Sequence, residues 1–395
     1  MRRPPHSPGR HLPLHAVSPR LSINTCGAFF DVPEQATALT CLLTFKLTNC
    51  SFLGLPDSFD QMPALSTLVL HKLNTHFPGS CCRLKSLETL VVTDCAYLGE
   101  LPDPLSALTA LKTPCLADSP LLILPDGIGG LTDLHTLYLK SYRARNLLLP
   151  SFTKLASLTR LELHECELVE LPDAIGGMRR LRELYQPVLR SHEPHASDDA
   201  EAAGADQLLG SYPEVTHLPG TYALPNLNTV SLSIVIFPSA LSRSLSSLEH
   251  LCLVLACEGE LPFPLANLPC LRTLALVSTG VVKLPDFSTS MLQELRQLEL
   301  CLPELTEIPS TIVALHKLTH LEINAPKLPA LPDSIGALSR LCKLILSNCL
   351  VLTHLPGSLT QLAHLRELSM HKAAIKSLPP NFACLGRLQA AGGAV

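Results

Sequence analysis

The chain has 395 residues, a formal net charge of −4, 47% hydrophobic residues, 4% aromatic residues and no Trp. That balance supplies no strong positive field to gather nucleic acid, and it describes a core built from one branched aliphatic type, Leu, copied many times. No stretch approaches the ~18 consecutive apolar residues of a membrane span, and the 15 cysteines, odd in number and without clustered terminal pairs, fit reduced thiols better than a secreted disulfide scaffold.

Residues 1–40 read as a disordered or weakly structured leader. It holds Arg2, Arg3, Arg10 and Arg20 with no acidic residue before Asp31. This is the charge pattern of an organelle transit peptide, but the prolines oppose the amphipathic helix such a peptide needs, so a cytoplasmic chain is expected. From Leu42 a strand clause of the form LxxLxL sets in, at Leu42/Phe45/Leu47, Leu65/Leu68/Leu70, Leu87/Leu90/Val92, Leu134/Leu137/Leu139 and Leu158/Leu161/Leu163. It returns at Leu227/Val230/Leu232, Leu248/Leu251/Leu253, Leu271/Leu274/Leu276, Leu295/Leu298/Leu300, Leu318/Leu321/Ile323, Leu341/Leu344/Leu346 and Leu365/Leu368/Met370. Alternation is the period of a strand, so the leucines point inward and the residues between them point out. Each clause predicts one short strand of a parallel sheet, about 4.8 Å from the next.

A second clause follows the first: LPDSFDQM from 55, LPDPLSAL from 101, LPDGIGGL from 124, LPDAIGGM from 171, IPSTIVAL from 308, LPDSIGAL from 331 and LPGSLTQL from 355. Pro fixes φ and opens a helical turn, and the Asp or Ser after it is expected to accept from the free amides there. The prolines Pro238, Pro262, Pro285, Pro309, Pro332, Pro356 and Pro379 are 23 or 24 residues apart, inside the roughly 20–29 residues of a leucine-rich repeat. The predicted fold is therefore α/β: a leucine-rich repeat solenoid over 41–395. It is expected as a curved right-handed coil with a parallel concave β-sheet and short helical or 3-10 turns on the convex side. One rung cannot bury enough aliphatic surface to offset the ordering of its own backbone, so rungs are stable only as neighbours.

Several positions depart from the pattern or refine it. Cys50, Cys95, Cys166 and Cys349 share one slot, where the chain turns out of its strand, and read as buried turn residues. Gly129-Gly130 and Gly176-Gly177 lie inside the LPDxIGG turn and read as packing glycines, not a phosphate cradle. Pro114 replaces a strand leucine, so the sheet should kink or narrow there. Residues 187–213 contain SHEPHASDDAEAAGADQ, acidic and without period, which reads as a mobile insert within a degenerate rung. Leu388 starts a further strand clause followed by no polar cap, and end-to-end self-association through that rung is expected.

The outward strand positions form the expected partner surface. Early rungs offer Thr67, Val69, His71, Thr89, Val91 and Thr93. Charged and aromatic residues gather in two patches: Tyr138, Lys140, Arg160, Glu162, His164, Glu183 and Tyr185 before the acidic segment, and Gln297, Glu299, His320, Glu322, Asn324, Lys343, Glu367 and His371 after it. Carboxylate beside imidazole on an exposed sheet is ordinary pairing, so Glu299, His320 and Glu322 are not read as a metal site. There is no GxxxxGK[ST], GxSxG, HExxH or kinase motif set, and no enzymatic activity, cofactor, nucleic acid or membrane is expected.

On "LTRLELHECELVELPDAIGGM" at 158–178 and "LCKLILSNCLVLTHLPGSL" at 341–359, the chain resembles the leucine-rich repeats of plant intracellular disease-resistance receptors and of the Ras-group scaffold family. The resemblance covers about Leu42 to Leu388. It implies a non-enzymatic module for protein recognition or scaffolding in intracellular signalling, with a defence role, that meets protein partners on its concave face. Those receptors carry a nucleotide-binding domain ahead of the repeats, and these residues supply none. The alternative is the substrate-recognition part of a multidomain enzyme such as a ubiquitin ligase.

Overall fold

A computed structural model describes residues 20–24, 29–30, 124–140, 150–164, 178–185, 226–234 and 246–260, together with most of 32–119 and 268–388. Among these residues fifteen strands form one parallel sheet in chain order. The strands are Arg20–Asn24, Thr44–Thr48, Thr67–His71, Thr89–Thr93, Thr113–Ala117, Thr136–Lys140, Arg160–His164, Glu183–Tyr185, Thr229–Ile234, His250–Glu260, Thr273–Lys283, Gln297–Cys301, His320–Asn324, Lys343–Ser347 and Glu367–His371. From Gln297–Cys301 onward the faces stay in phase, because each inward leucine pairs with the inward leucine of the next rung: Leu298 with Leu321, then Leu344, then Leu368. A one-residue slip would expose a whole row of leucines, and that cost holds the alignment.

One rung shows how the sequence builds the layer. Leu341, Leu344, Leu346, Cys349, Leu352, Leu359 and Leu362 are all at most 1% exposed, so both clauses feed a single core. The second clause forms the 3-10 turns, among them Asp103–Ala107, Asp126–Gly130, Ser310–Ala314, Asp333–Ala337 and Gly357–Gln361. Here one expectation is corrected. The cap residue is the proline itself, and its backbone carbonyl accepts the first turn hydrogen bond, as from Ile335 to Pro332 at 3.0 Å and from Leu359 to Pro356 at 3.1 Å. Proline sits there because its fixed φ suits the extended cap conformation, φ −64 and ψ 144 at Pro356.

The corner after the strand has a chemistry of its own. Asn49, Lys72, Asp94, Asp118, Asn348 and Lys372 all take positive φ, between 50° and 55°. The left-handed turn thus falls on the residue before the cysteine slot, where Asn and Asp are best tolerated. The amides of Asn49, Lys72, Asp94, Asp118 and Asn348 each reach the next rung, for example Asn49 to the His71 carbonyl at 2.8 Å and Asn348 to the His371 carbonyl at 2.9 Å. The following cysteine then turns inward. Cys95 and Cys349 are 2% and 0% exposed, and their thiols lie 3.7 Å from the Leu70 carbonyl and 3.8 Å from the Ile323 carbonyl, each on the preceding rung. Cys50 and Cys166 lie outside the described residues.

Ten described cysteines are free thiols, of which Cys81, Cys82, Cys95 and Cys349 are buried while Cys41 and Cys270 are exposed. Burial pushes the Cys82 thiol up to about 11 and Cys81 higher still, and thiolate is the reactive form. Native alkylation followed by mass spectrometry is expected to modify Cys41 and Cys270 first, with the four buried thiols reacting only after denaturant is added.

Irregular rungs have local causes. Thr113–Ala117 pairs with the preceding strand over five residues but with the following one only at Cys115 and Leu116. Thr113 donates backward to Glu88 and Asp118 forward to Lys140, so the alternation points the amide that Pro114 lacks forward, and the narrowing falls on that side. Pro114→Leu supplies this amide and an inward leucine, and is expected to raise stability by about 1 kcal/mol in urea denaturation. His250–Glu260 and Thr273–Lys283 run on to 11 residues. Their corner slot holds Leu255 and Ser278, not Asn or Asp, and β-branched Thr279, Val281 and Val282 carry the strand past it. The register shift there is absorbed near Gly259, at φ 86.

The array begins earlier than the expected boundary at 41. Arg20–Asn24 pairs in full register with Thr44–Thr48, and Glu34–Ala38 forms a 3-10 turn. The clause there lacks its first leucine, with Ser18 in its place, and only the L-x-I alternation of Leu21 and Ile23 announces the strand. The segment 187–213 lies outside the described residues, as do residues 389–395. Among the described residues no helix is long and apolar enough to cross a membrane.

Candidate functional site

All fifteen residues expected on the partner surface lie on the open face of the sheet, half-buried or exposed, between inward leucines. The first patch is a connected network. Arg160 reaches Glu162 on its own strand through Nε at 2.6 Å and Glu183 on the next strand through Nη1 at 2.8 Å. The other Glu162 oxygen lies 3.0 Å from His164 Nε2. The Arg160 guanidinium sits 4.9 Å over the Tyr185 ring, and Tyr138 stacks on His164 with ring centroids 4.7 Å apart. Lys140 pairs with Asp118 at 2.7 Å.

The register explains why these groups meet. Thr136, Arg160 and Glu183 form one cross-strand row, while Tyr138, Glu162 and Tyr185 form the next. Neighbouring strands bring such rows within side-chain reach. Burial works against the Arg160 charge, but the Glu162 hydrogen bond and the attraction of Glu162 and Glu183 outweigh it and hold the guanidinium above its ordinary value. Burial, with Cys115 nearby, raises the Tyr138 phenol, and burial with Glu183 raises Tyr185. At neutral pH both rings therefore present a neutral O–H beside a fixed ion network. The patch offers rigid aromatic surface and aligned polar groups, the composition that dominates protein contact sites.

The second patch is more open. Gln297 Nε2 donates to Glu299 at 2.6 Å, Thr319 and His320 share a 2.9 Å contact, and Lys343 pairs with Glu367 at 2.9 Å. Gln297, Glu299, His320, Glu322, Lys343 and Ile345 line a shallow depression of about 190 Å³. Glu299 and Glu322 are register partners on adjacent strands. Among the described residues no three His, Cys, Asp or Glu side chains are placed to hold a metal ion. Asn324 receives the Asn348 side-chain amide at 3.4 Å, and His371 closes the row at its exposed end.

Two groups of the first patch escaped the sequence reading. Cys115 stands in the row of Tyr138 and Glu162, and Asp118 holds Lys140. Asp118 had a usable signal, since it fills the same corner slot as Asn49, Asp94 and Asn348. Between the patches the face is nearly uncharged, with Ser231, Cys252 and Ala275 in register. On the flank, ion pairs step from rung to rung, Lys112 to Glu88 at 2.7 Å, Arg272 to Glu249 at 3.0 Å and Lys327 to Glu304 at 2.6 Å. Exposed pairs of this kind contribute little stability each.

No family model matches the chain. Over 92 residues it is 32% identical to TMV resistance protein N of Nicotiana glutinosa, a stretch that spans 22% of this chain and 8% of that protein. In three dimensions it is similar to a leucine-rich repeat protein of Leptospira interrogans, with a TM-score of 0.69 and 22% identity over 91% of this chain and 86% of that one. It is also similar to the plant peptide hormone receptor RGFR1 solved with RGF2, with a TM-score of 0.53 and 19% identity over 93% of this chain and 69% of that one. A third is TLR13 in complex with ssRNA13, with a TM-score of 0.64 and 17% identity over 91% and 58%. The fold is a leucine-rich repeat solenoid, and the chain resembles the repeats of plant resistance proteins.

Proposed function

We propose that this chain is a non-enzymatic recognition module that binds a protein partner across the open face of its sheet, with the Arg160 network as the principal contact, and that it serves intracellular, defence-related signalling in the cytoplasm. The observation that carries the reading is the network itself: two Tyr rings, a guanidinium, an imidazole and two carboxylates held in mutual contact on an exposed sheet. A bare solvated face has no need of that order, whereas a contact surface gains from side chains fixed before binding.

The charge balance favours protein over nucleic acid. Lys140, Arg160 and Lys343 each already pair with a carboxylate, leaving little cationic surplus for a phosphate backbone. The likeness to a resistance protein and to a receptor solved with a peptide hormone supports the same reading.

The test is affinity capture from native extract with the wild-type chain, with Glu162→Ala/Tyr185→Ala/Glu322→Ala, and with Arg340→Ala on the turn side as control. The triple variant is expected to lose at least tenfold of the specifically captured protein, while the control retains it. Equal capture by all three, with circular dichroism unchanged, rejects the open face as the site.

A further inference from the structure

The short links that lead into the strands form a flank of the solenoid beside the open face, and in the second half of the array that flank is basic. Across 268–272, 292–296, 315–319, 338–342 and 362–366 the charged residues are Arg272, Arg296, Lys317, Arg340, Arg366 and a lone acid, Glu294. The whole chain carries −4, so this is a local reversal of sign. Sequence order hides it, because each cation comes from a different rung and only stacking makes them neighbours.

Backbone hydrogen bonds fix the spacing. The Arg296 amide donates to the Arg272 carbonyl at 2.8 Å, Thr319 to Arg296 at 2.8 Å, Cys342 to Thr319 at 2.8 Å and Arg366 to Cys342 at 2.7 Å. Successive links are thus held one strand spacing, ~4.8 Å, apart. Arg272 and Lys317 already hold carboxylates, those of Glu249 and Glu294. Arg296, Arg340 and Arg366 are exposed and carry no such pair among the described residues. The field is shared between rungs. The Lys317 hydrogen bond, with the attraction of Lys317, Arg296 and Arg272, holds the Glu294 carboxyl below its ordinary value.

We propose that this flank docks an extended acidic segment of a protein partner, whose carboxylates pair with Arg296, Arg340 and Arg366. A guanidinium takes a carboxylate through two parallel N–H donors, and Glu249 and Glu294 show that carboxylates seat on these links. The three arginines span three strand spacings, ~14 Å, which an extended chain covers in about four or five residues. Other polyanions fit less well. No aromatic side chain stands in these links to stack a base. The exposed large apolar side chains, such as Val313 and Leu350, lie outside them, so the links have none to enter a bilayer surface. The flank shares no residue with the open-face site, so its occupant binds separately, and Arg340→Ala leaves capture by the open face intact.

Fluorescence anisotropy of the full chain with labelled decaglutamate, at low salt where exposed charges are least screened, tests this, with labelled decaglutamine as the neutral probe. Decaglutamate is expected to bind saturably and to be weakened about tenfold or more by Arg296→Ser/Arg340→Ser/Arg366→Ser. Lys283, Lys372 and Lys376 are exposed on the flank that follows the strands. Lys283→Ser/Lys372→Asn/Lys376→Ser removes the same charge there and should leave binding nearly unchanged, with circular dichroism confirming the fold of both variants. Decaglutamate bound no better than decaglutamine overturns the proposal. So does an equal loss in the two triple variants, which would mark attraction to net charge alone. Binding of phosphatidylserine vesicles or of an oligothymidylate that the arginine variant abolishes, in a chain that ignores decaglutamate, also overturns it and gives the flank to lipid or nucleic acid.

Discussion

Leu344→Ala is expected to destabilise the solenoid by about 2–5 kcal/mol, read from the shift of the urea midpoint at unchanged slope. Leu344 is 0% exposed, with Leu321 and Leu368 as its register partners on the two flanking strands. The lost side chain leaves a cavity between two layers that cannot close, because each is held at the strand spacing by its own hydrogen bonds. The same substitution at Leu368, which is already half-buried, should cost clearly less. Equal costs at the two positions would show that burial in the spine is not what stabilises a rung.

Gly336→Ala is expected to cost about 3 kcal/mol, the upper part of the usual range for overpacking. A Cβ at Gly336 would collide with the backbone carbonyl of Ser358 in the next turn, and one at Gly129 would lie 2.6 Å from the carbonyl of Ser151. Backbone cannot rotate away as a side chain can, so the two turns must separate and take their leucines with them. Gly357 provides the contrast: a Cβ added there would meet no atom within 4 Å, and its φ is not positive. Gly357→Ala should therefore stabilise by about 0.4–1 kcal/mol through the unfolded chain. Thermal melting of the pair checks both signs at once, and a stable Gly336→Ala protein would refute close turn packing.

Much of the candidate site was legible in the order of residues alone. The L-x-L alternation assigned Arg160, Glu162 and Tyr185 to the open face, because inward and outward positions follow from a period of two. What the alternation does not contain is which neighbours touch. That Arg160 joins Glu183 across strands and that Tyr138 stacks on His164 depends on register and rotamer, and residues 23 or 24 apart come together only when the stack exists. Cys115 and Asp118 were missed because the rung that carries them has Pro114 in place of its leucine.

The sequence by itself determined the rung: its period, its inward leucines, the proline that opens each turn and the glycines that let turns approach, since all of these follow from local geometry and from the cost of exposing aliphatic surface. Tertiary structure alone decided that the array reaches back to Arg20–Asn24, how far Thr273–Lys283 extends, on which side of Pro114 the sheet narrows, and which charges share a network. Those outcomes rest on pairing between strands distant in sequence, and a hydrogen-bond partner one rung away leaves no mark on the residue that receives it.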